Sequence, residues 1–244
     1  MTDVLVIGYH AVSPTWTAAL SVTPDMLERQ LTGLVNRGWR GTTFRDAVLD
    51  PPAEKTLAVT FDDAFASVLT IAHPILSALQ VPATVFAPTA FVSSSEPLTW
   101  PGIEHWDDGA TASELTSMSW DELGGLAQDG WEVGSHTRTH PHLTTLEDDD
   151  LRDELESSRA EIVDHLGVCA SIAYPYGDVD ERVTEAARAA GYAVGAALPR
   201  RLARGTVHRW PRVGIYHVDN TWRFRLKTSR ALRRARSSSL WPEH

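Results

Sequence analysis

The sequence predicts an α/β fold built on a largely parallel sheet. Two observations carry this. Short β-rich runs alternate with apolar stretches at helical spacing along all 244 residues, and turn chemistry separates most of them. A third observation bears on organisation: no internal repeat, low-complexity block or linker divides the chain, so a single domain is expected. Hydrophobic residues are 43% and charged residues 22%, the profile of an ordinary globular protein. Alternation alone fits a closed barrel and an open doubly wound sheet equally.

Val4 to Ile7 reads as the first strand. Thr23-Pro24 supplies an N-cap with proline at the first helical position. Leu27, Leu31, Leu34 and Val35 follow at helical spacing, and Gly38 ends that helix. Thr56 to Phe61 reads as a strand, Val68 to Leu79 as a helix, and Ala83 to Ala87 as a strand after Pro82. Residues 93 to 112 hold no sustained period and read as an inserted loop. Ser119 with Glu122 forms a capping-box pattern for a helix to Gln128. Trp131 to Gly134 is a strand that leads into Ser135-His136. A long helix from Glu147 to Leu166 is followed by strand Ser171 to Tyr174, helix Val179 to Ala190 and strand Tyr192 to Ala196. Val213 to Tyr216 reads as a last strand before a helix from about Asn220. No GxGxxG follows the first strand, which counts against dinucleotide binding.

The formal net charge of −10 argues against nucleic acid as a partner. The charge is uneven. Arg223, Arg225, Lys227, Arg230, Arg233, Arg234 and Arg236 crowd the C-terminal end, and residues 227–244 read as a basic extension of a domain spanning 1–226. The plain reading of that end is a solvated helix face; the sharper one is weak contact with an anionic membrane surface or a phosphorylated substrate. The single cysteine, Cys169, allows no intramolecular disulfide and reads as a small core residue. The N-terminus lacks a basic region and a signal-length apolar run, and no segment has the length of a membrane span. A cytoplasmic location is therefore expected.

Two clusters carry chemistry. Thr60 to Asp63, TFDD, ends a strand with adjacent carboxylates, which repel each other unless something compensates. A metal ion would do so, with one acid as ligand and the other facing a water. The same pair also suits a helix N-cap or turn. SHTRTHPHL, Ser135 to Leu143, places His136 and His140 four residues apart after a strand, a spacing that can aim both rings at one ion. Two imidazoles with a carboxylate suit a divalent transition metal, zinc first, with cobalt or nickel as alternatives. His142 falls outside the spacing. His73 and His165 lie in helical stretches and read as surface residues. The inserted loop brings Trp100, His105 and Trp106, which with Trp120 either stack on sugar rings or cover the domain as local core.

TFDD, GSHTRTHPHL and AYPYG (Ala173 to Gly177), in that order, resemble the polysaccharide deacetylase family, the NodB-homology domain of carbohydrate esterase family 4. The resemblance runs from Tyr9-His10 to about Leu226. It implies a distorted (β/α)7-type, TIM-like barrel. It also implies a metal-dependent hydrolase that removes the N-acetyl group from an N-acetylhexosamine in a polysaccharide, glycolipid or sugar precursor. Carried onto this sequence, it makes Asp62 the catalytic base, Asp63, His136 and His140 the metal ligands, and Pro175 and Tyr176 part of the groove, with the Tyr176 N–H at the oxyanion.

The sequence departs from the common family pattern in two places. The arginine usually upstream of the Pro-Tyr motif is replaced by Ala173 and Tyr174. Arg212, in WPRVGIY, is the substitute, with a surface or structural arginine as the other reading. The late Leu-x-His motif of the catalytic acid is missing, and His217 in Tyr-His-Val is a poor match. GYHAV at the end of the first strand resembles a rearranged branch with an early histidine, so His10 is expected as the acid. Amide hydrolysis outside carbohydrates and a non-catalytic carbohydrate-binding module remain the other functional readings.

Overall fold

The computed structural model describes residues 2–103, 106, 111–199, 202, 206–238 and 241. Its strands are β1 (Asp3–Tyr9), β2 (Ala11–Val12), β3 (Ser21–Val22), β4 (Arg40–Thr42), β5 (Lys55–Phe61), β6 (Ala83–Ala87), β7 (Glu132–Ser135), β8 (Ser171–Ala173), β9 (Val194–Ala197), β10 (Trp210–Pro211) and β11 (Val213–Gly214). Its helices are α1 (Pro24–Val35), α2 (Phe44–Leu49), α3 (His73–Ala78), α4 (Trp120–Gln128), α5 (Asp148–Leu166), α6 (Glu181–Ala189), α7 (Thr221–Thr228) and α8 (Arg230–Arg236).

The main sheet runs β10-β9-β8-β7-β6-β5-β1-β11, every pairing parallel, with β4 also paired to β5. The sheet is nearly closed into a barrel with helices around it, as the resemblance implied. Closure depends on one short stretch. Trp210 and Pro211 pair with β9, while Val213 and Gly214 pair with β1. Arg212 sits at the switch between the two neighbours, its N–H bonded to Ala197 O at 2.9 Å.

Period-two alternation sorts the strand residues into two cores. Leu5, Ile7, Leu57, Val59, Val85 and Ile172 pack outward into the large cluster beneath the helices. Val6, Ala58, Phe86, Ala173, Val194 and Ala196 form a smaller inner cluster with Phe44 and Ala47 of α2. The same alternation turns Thr60, Asp62, His136 and Arg212 inward. Gly134 belongs to this crowded interior: a Cβ there would lie 2.7 Å from the Phe86 ring and overlap Ser171 Oγ. Gly134→Ala is therefore expected to cost about 1–3 kcal/mol by overpacking, read as a lowered denaturation midpoint with an unchanged m-value.

Most expected elements are present with ends moved by a few residues. Ser119 and Glu122 do form a capping box, and Gly167 ends α5 in the left-handed region at φ 82°. The expected helix from Val68 to Leu79 is interrupted. Its first turn, Val68–Ala72, is a π-helix, and α3 begins only at His73. Pro74 has no N–H and crowds the carbonyl one turn back, which favours the wider turn. The last strand stops at Gly214 instead of Tyr216. The expected boundary at 226/227 falls inside α7. The chain beyond it packs onto the barrel: Arg233 donates to both Asp3 carboxylate oxygens at 2.8 and 3.0 Å and lies over Trp39. No helix among the described residues is long and apolar enough to cross a membrane.

Candidate active site

Asp62 and Asp63 follow β5, and Ser135-His136 ends β7, so both clusters emerge at the C-terminal ends of parallel strands. Barrels of this kind hold their chemistry there. The local backbone is unusual. Asp63, Ala64, Thr137, His140 and Tyr176 all have φ between 53° and 70°. Left-handed non-glycine residues cost energy, and their grouping marks a place where geometry outranks local preference.

Hydrogen bonds hold the His136–His140 turn in this form. The N–H groups of Arg138 and Thr139 donate to Glu154 Oε2 at 2.8 and 2.9 Å, and Thr139 Oγ1 donates to Glu154 Oε1. Thr137 N–H donates to Ser135 Oγ and His140 N–H to Thr137 Oγ1. Glu154 on α5 thus fixes a loop whose sequence would not hold the shape alone.

The turn delivers both imidazoles to Asp63. His136 Nε2 and His140 Nε2 stand 3.4 and 3.5 Å from Asp63 Oδ1, and all three side chains are buried. The potential ligand atoms lie within 4.8 Å of one another. His136 Nδ1 is 2.7 Å from Ala173 O, so that nitrogen carries the proton and donates, leaving Nε2 with a free lone pair. Burial holds both histidines below their ordinary pKa, His140 down to about 2. Burial, reinforced by the Asp62 charge, pushes the Asp63 carboxyl well above its usual range.

Asp63 Oδ1 and His140 Nδ1 have no hydrogen-bond partner. A divalent cation fits this set. Tetrahedral bonds of about 2.1 Å put neighbouring ligand atoms about 3.4 Å apart, which matches the spacing around Asp63 Oδ1. Alanine at Asp63, His136 or His140 is expected to weaken zinc affinity at least about 100-fold, read by calorimetric titration of the chelator-treated protein.

Asp62 is not a helix cap. Its two oxygens accept from Arg212 Nη1 and Nη2 at 2.7 and 2.9 Å, a bidentate pair sealed in the barrel. Burial alone would lift the Asp62 carboxyl; the guanidinium and His136 outweigh it and hold the group well below the usual carboxylate range. Arg212 is 1% exposed, also donates to Thr60 Oγ1 at 2.9 Å, and lies over the Phe86 ring. The surface reading of Arg212 does not hold: the strand switch at residue 212 turns its side chain into the barrel.

His10 Nε2 is 3.9 Å from Asp62 Oδ2, and its ring stacks on Tyr216. Burial lowers its pKa to about 4 against the opposing pull of Asp62. His217 is exposed and directs Nδ1 to Ser21 O at 3.2 Å, on the β2–β3 pair. Of these two histidines, only His10 faces Asp62.

Pro175 and Tyr176 form a short 3-10 turn after β8. The Tyr176 ring lies against His140 and His142, and its hydroxyl donates to Pro101 O at 3.0 Å. Trp100 is buried and stacks on His140 with centroids 4.2 Å apart, so it covers a proposed ligand and is not an open sugar platform. Trp106 packs edge-on against Trp16 at 5.2 Å. Trp120 stacks on His165, away from the cluster. His105 lies outside the described residues. His142 approaches Asp178 at 3.5 Å and stacks on Tyr176.

Sequence reasoning missed Glu154 and Tyr216, and it read Thr60 only as part of TFDD, without its bond to Arg212. Glu154 carries no motif signal. An aromatic residue directly before His217 could have pointed to Tyr216.

Fold and site together define a parallel barrel with a buried Asp–His–His cluster at its catalytic end, flanked by an arginine-locked carboxylate. The polysaccharide deacetylase family profile matches residues 50–195, and the chain belongs to that family. YxkH of Bacillus subtilis (strain 168) is 24% identical over 197 residues, or 78% of this chain. The chain spans 62% of the length of that curated relative. Two solved structures share the fold. The Streptococcus pyogenes deacetylase PplD, in complex with acetate, has TM-score 0.76 and 21% identity over 93% of this chain and 98% of its own. IcaB from Ammonifex degensii has TM-score 0.72 and 22% identity over 94% and 98%.

Proposed function

We propose that the protein is a metal-dependent hydrolase that removes the acetyl group from the nitrogen of an N-acetylhexosamine, carried on a polysaccharide, a glycolipid or a sugar precursor. The observation that carries this reading is the pairing of Asp62 with Arg212 directly beside Asp63, His136 and His140. A structural or glycan-binding cluster has no need of an ionised carboxylate locked next to its ligand set. The family and the PplD acetate complex support acetyl transfer to water.

In this reading Asp63, His136 and His140 hold one divalent ion, zinc in the first instance. When bound, the ion supplies Lewis acidity toward the acetyl carbonyl and toward water. Asp62 is kept ionised by Arg212 and takes a proton from the water that attacks the carbonyl carbon. The Tyr176 N–H, on its left-handed turn, donates to the oxyanion. The C–N bond then breaks, and the amine needs a proton. His10 starts neutral because burial holds its pKa near 4. The proton it delivers is therefore one taken up during the reaction, from Asp62 by way of a bridging water, because the 3.9 Å between Asp62 Oδ2 and His10 Nε2 is too long for direct transfer. Acetate and a free amine leave.

Two experiments test this. Zinc-loaded protein should release acetate and free amine in equal amounts from N-acetylglucosamine oligomers; no release from any N-acetylated mono-, oligo- or lipid-linked sugar would refute the activity. His10→Ala should lower kcat about 10²–10⁴-fold with metal content unchanged, and His217→Ala should stay near wild type. The opposite ranking would move the acid to His217.

A further inference from the structure

The outward face of α7 is inverted. Phe224 and Thr228, four residues apart, are buried against the barrel. Trp222 and Leu226, also four apart, lie on the opposite side and are 68% and 44% exposed. Val218, just before the helix, is 61% exposed. A solvated helix carries polar residues on this side. Here the polar residues are the flanks: Arg223 and Arg225 stand on either side of the apolar pole.

The arginines continue from there. Arg225 lines a cavity of about 360 Å³ with Arg37, Lys55 and Arg230. Arg230 also lines an adjoining cavity of about 310 Å³ with Arg233 and Arg234. Among the described residues, Arg37, Arg223, Arg225 and Arg234 have no carboxylate within salt-bridge distance. Arg37 and Arg225 are close enough to repel each other. Asp3 and Glu54 also line the first cavity and Asp3 the second, and Asp3 pairs with Arg230 and Arg233. The charge left without a paired carboxylate rests on Arg37, Arg223, Arg225 and Arg234.

We propose that this face docks on an anionic lipid bilayer, with Trp222 and Leu226 entering the interface and the surrounding arginines meeting headgroup phosphates. Exposed tryptophan and leucine flanked by arginine is the composition that interfacial helices use, and tryptophan favours the headgroup level. Nucleic acid would meet the cations but gain nothing from Leu226 and Val218. A second copy of this chain, pairing the same face, would set arginine against arginine. A soluble phosphorylated ligand would fill the cavities and leave α7 uncovered. The inference stands on the surface alone and is independent of the proposed activity.

Cosedimentation of the full chain with vesicles tests it. Binding is expected to vesicles of phosphatidylcholine with phosphatidylglycerol, weakening as salt is raised, and not to phosphatidylcholine alone. Trp222→Ser/Leu226→Ser and Arg223→Glu/Arg225→Glu should each lower the partition coefficient more than about tenfold, with unchanged circular dichroism and acetate release from a soluble oligomer. The proposal is overturned by no vesicle binding, by equal binding to both vesicle types, or by retained binding in either double variant. It is also overturned if the apolar variant instead abolishes a concentration-dependent dimer.

Discussion

Asp62→Asn should lower kcat about 10²–10⁴-fold while metal content and substrate affinity stay near wild type. Asparagine keeps the shape of the side chain and can still accept one Arg212 N–H. It loses the charge that removes a proton from water. The ligand atoms on Asp63, His136 and His140 are not altered, so zinc affinity should hold. The separation matters. A variant that lost activity and metal together would place Asp62 among the ligands instead of beside them. Measuring kcat at saturating substrate and bound zinc by elemental analysis distinguishes the two.

Arg212→Met carries the second large effect, this time on stability. The pair is buried, and removing one partner leaves Asp62 charged in the barrel with no counter-ion. The expected cost is about 3–5 kcal/mol at neutral pH, read from denaturant unfolding of chelator-treated protein. Adding Asp62→Asn to Arg212→Met should recover much of it, because the orphaned charge is then gone.

The pH dependence follows from the directions of the shifts. In the wild type Arg212 holds the Asp62 carboxyl below its ordinary value. That contribution is complete above the unfolded pKa of about 3.9 and is lost only as pH falls through the lower folded value. In Arg212→Met, burial without the guanidinium raises the carboxyl above its ordinary value. The penalty is then full at neutral pH and fades as the group protonates. The stability gap between the two proteins should therefore shrink as pH falls from neutral toward the carboxylate range. A gap that widened would show that the pair is not what Arg212 stabilises.

The metal cluster was legible because its residues are of diagnostic types and sit at strand ends, where the alternation of strand and helix signals places them. Two segments far apart in sequence named the same site, and the fold brings Asp63, His136 and His140 together. Arg212 was legible as a residue but not as a position. Its inward direction depends on one stretch pairing first with β9 and then with β1, which is a property of closure and not of any local pattern. Trp100 stayed open between sugar stacking and local core for a similar reason. Its aromaticity was visible; the return of the loop onto His140, forty residues on, was not. Strands β2, β3, β4 and β10 span two or three residues each, too short for any period to register. Helix α2 is only six residues long, yet it fills the inner core. Pro74 was the one signal in plain view that the reading of Val68 to Leu79 passed over.

Metal-dependent acetate release with Asp62 as base is the centre of this account, and one titration tests it most directly. Chelator-treated wild type is given zinc in steps while acetate release from an N-acetylglucosamine oligomer is followed, with Asp62→Asn alongside. Activity should be absent without metal and return fully at one equivalent, and Asp62→Asn should bind the same equivalent without recovering turnover. Turnover in the metal-free protein, or wild-type turnover in Asp62→Asn, would contradict the account.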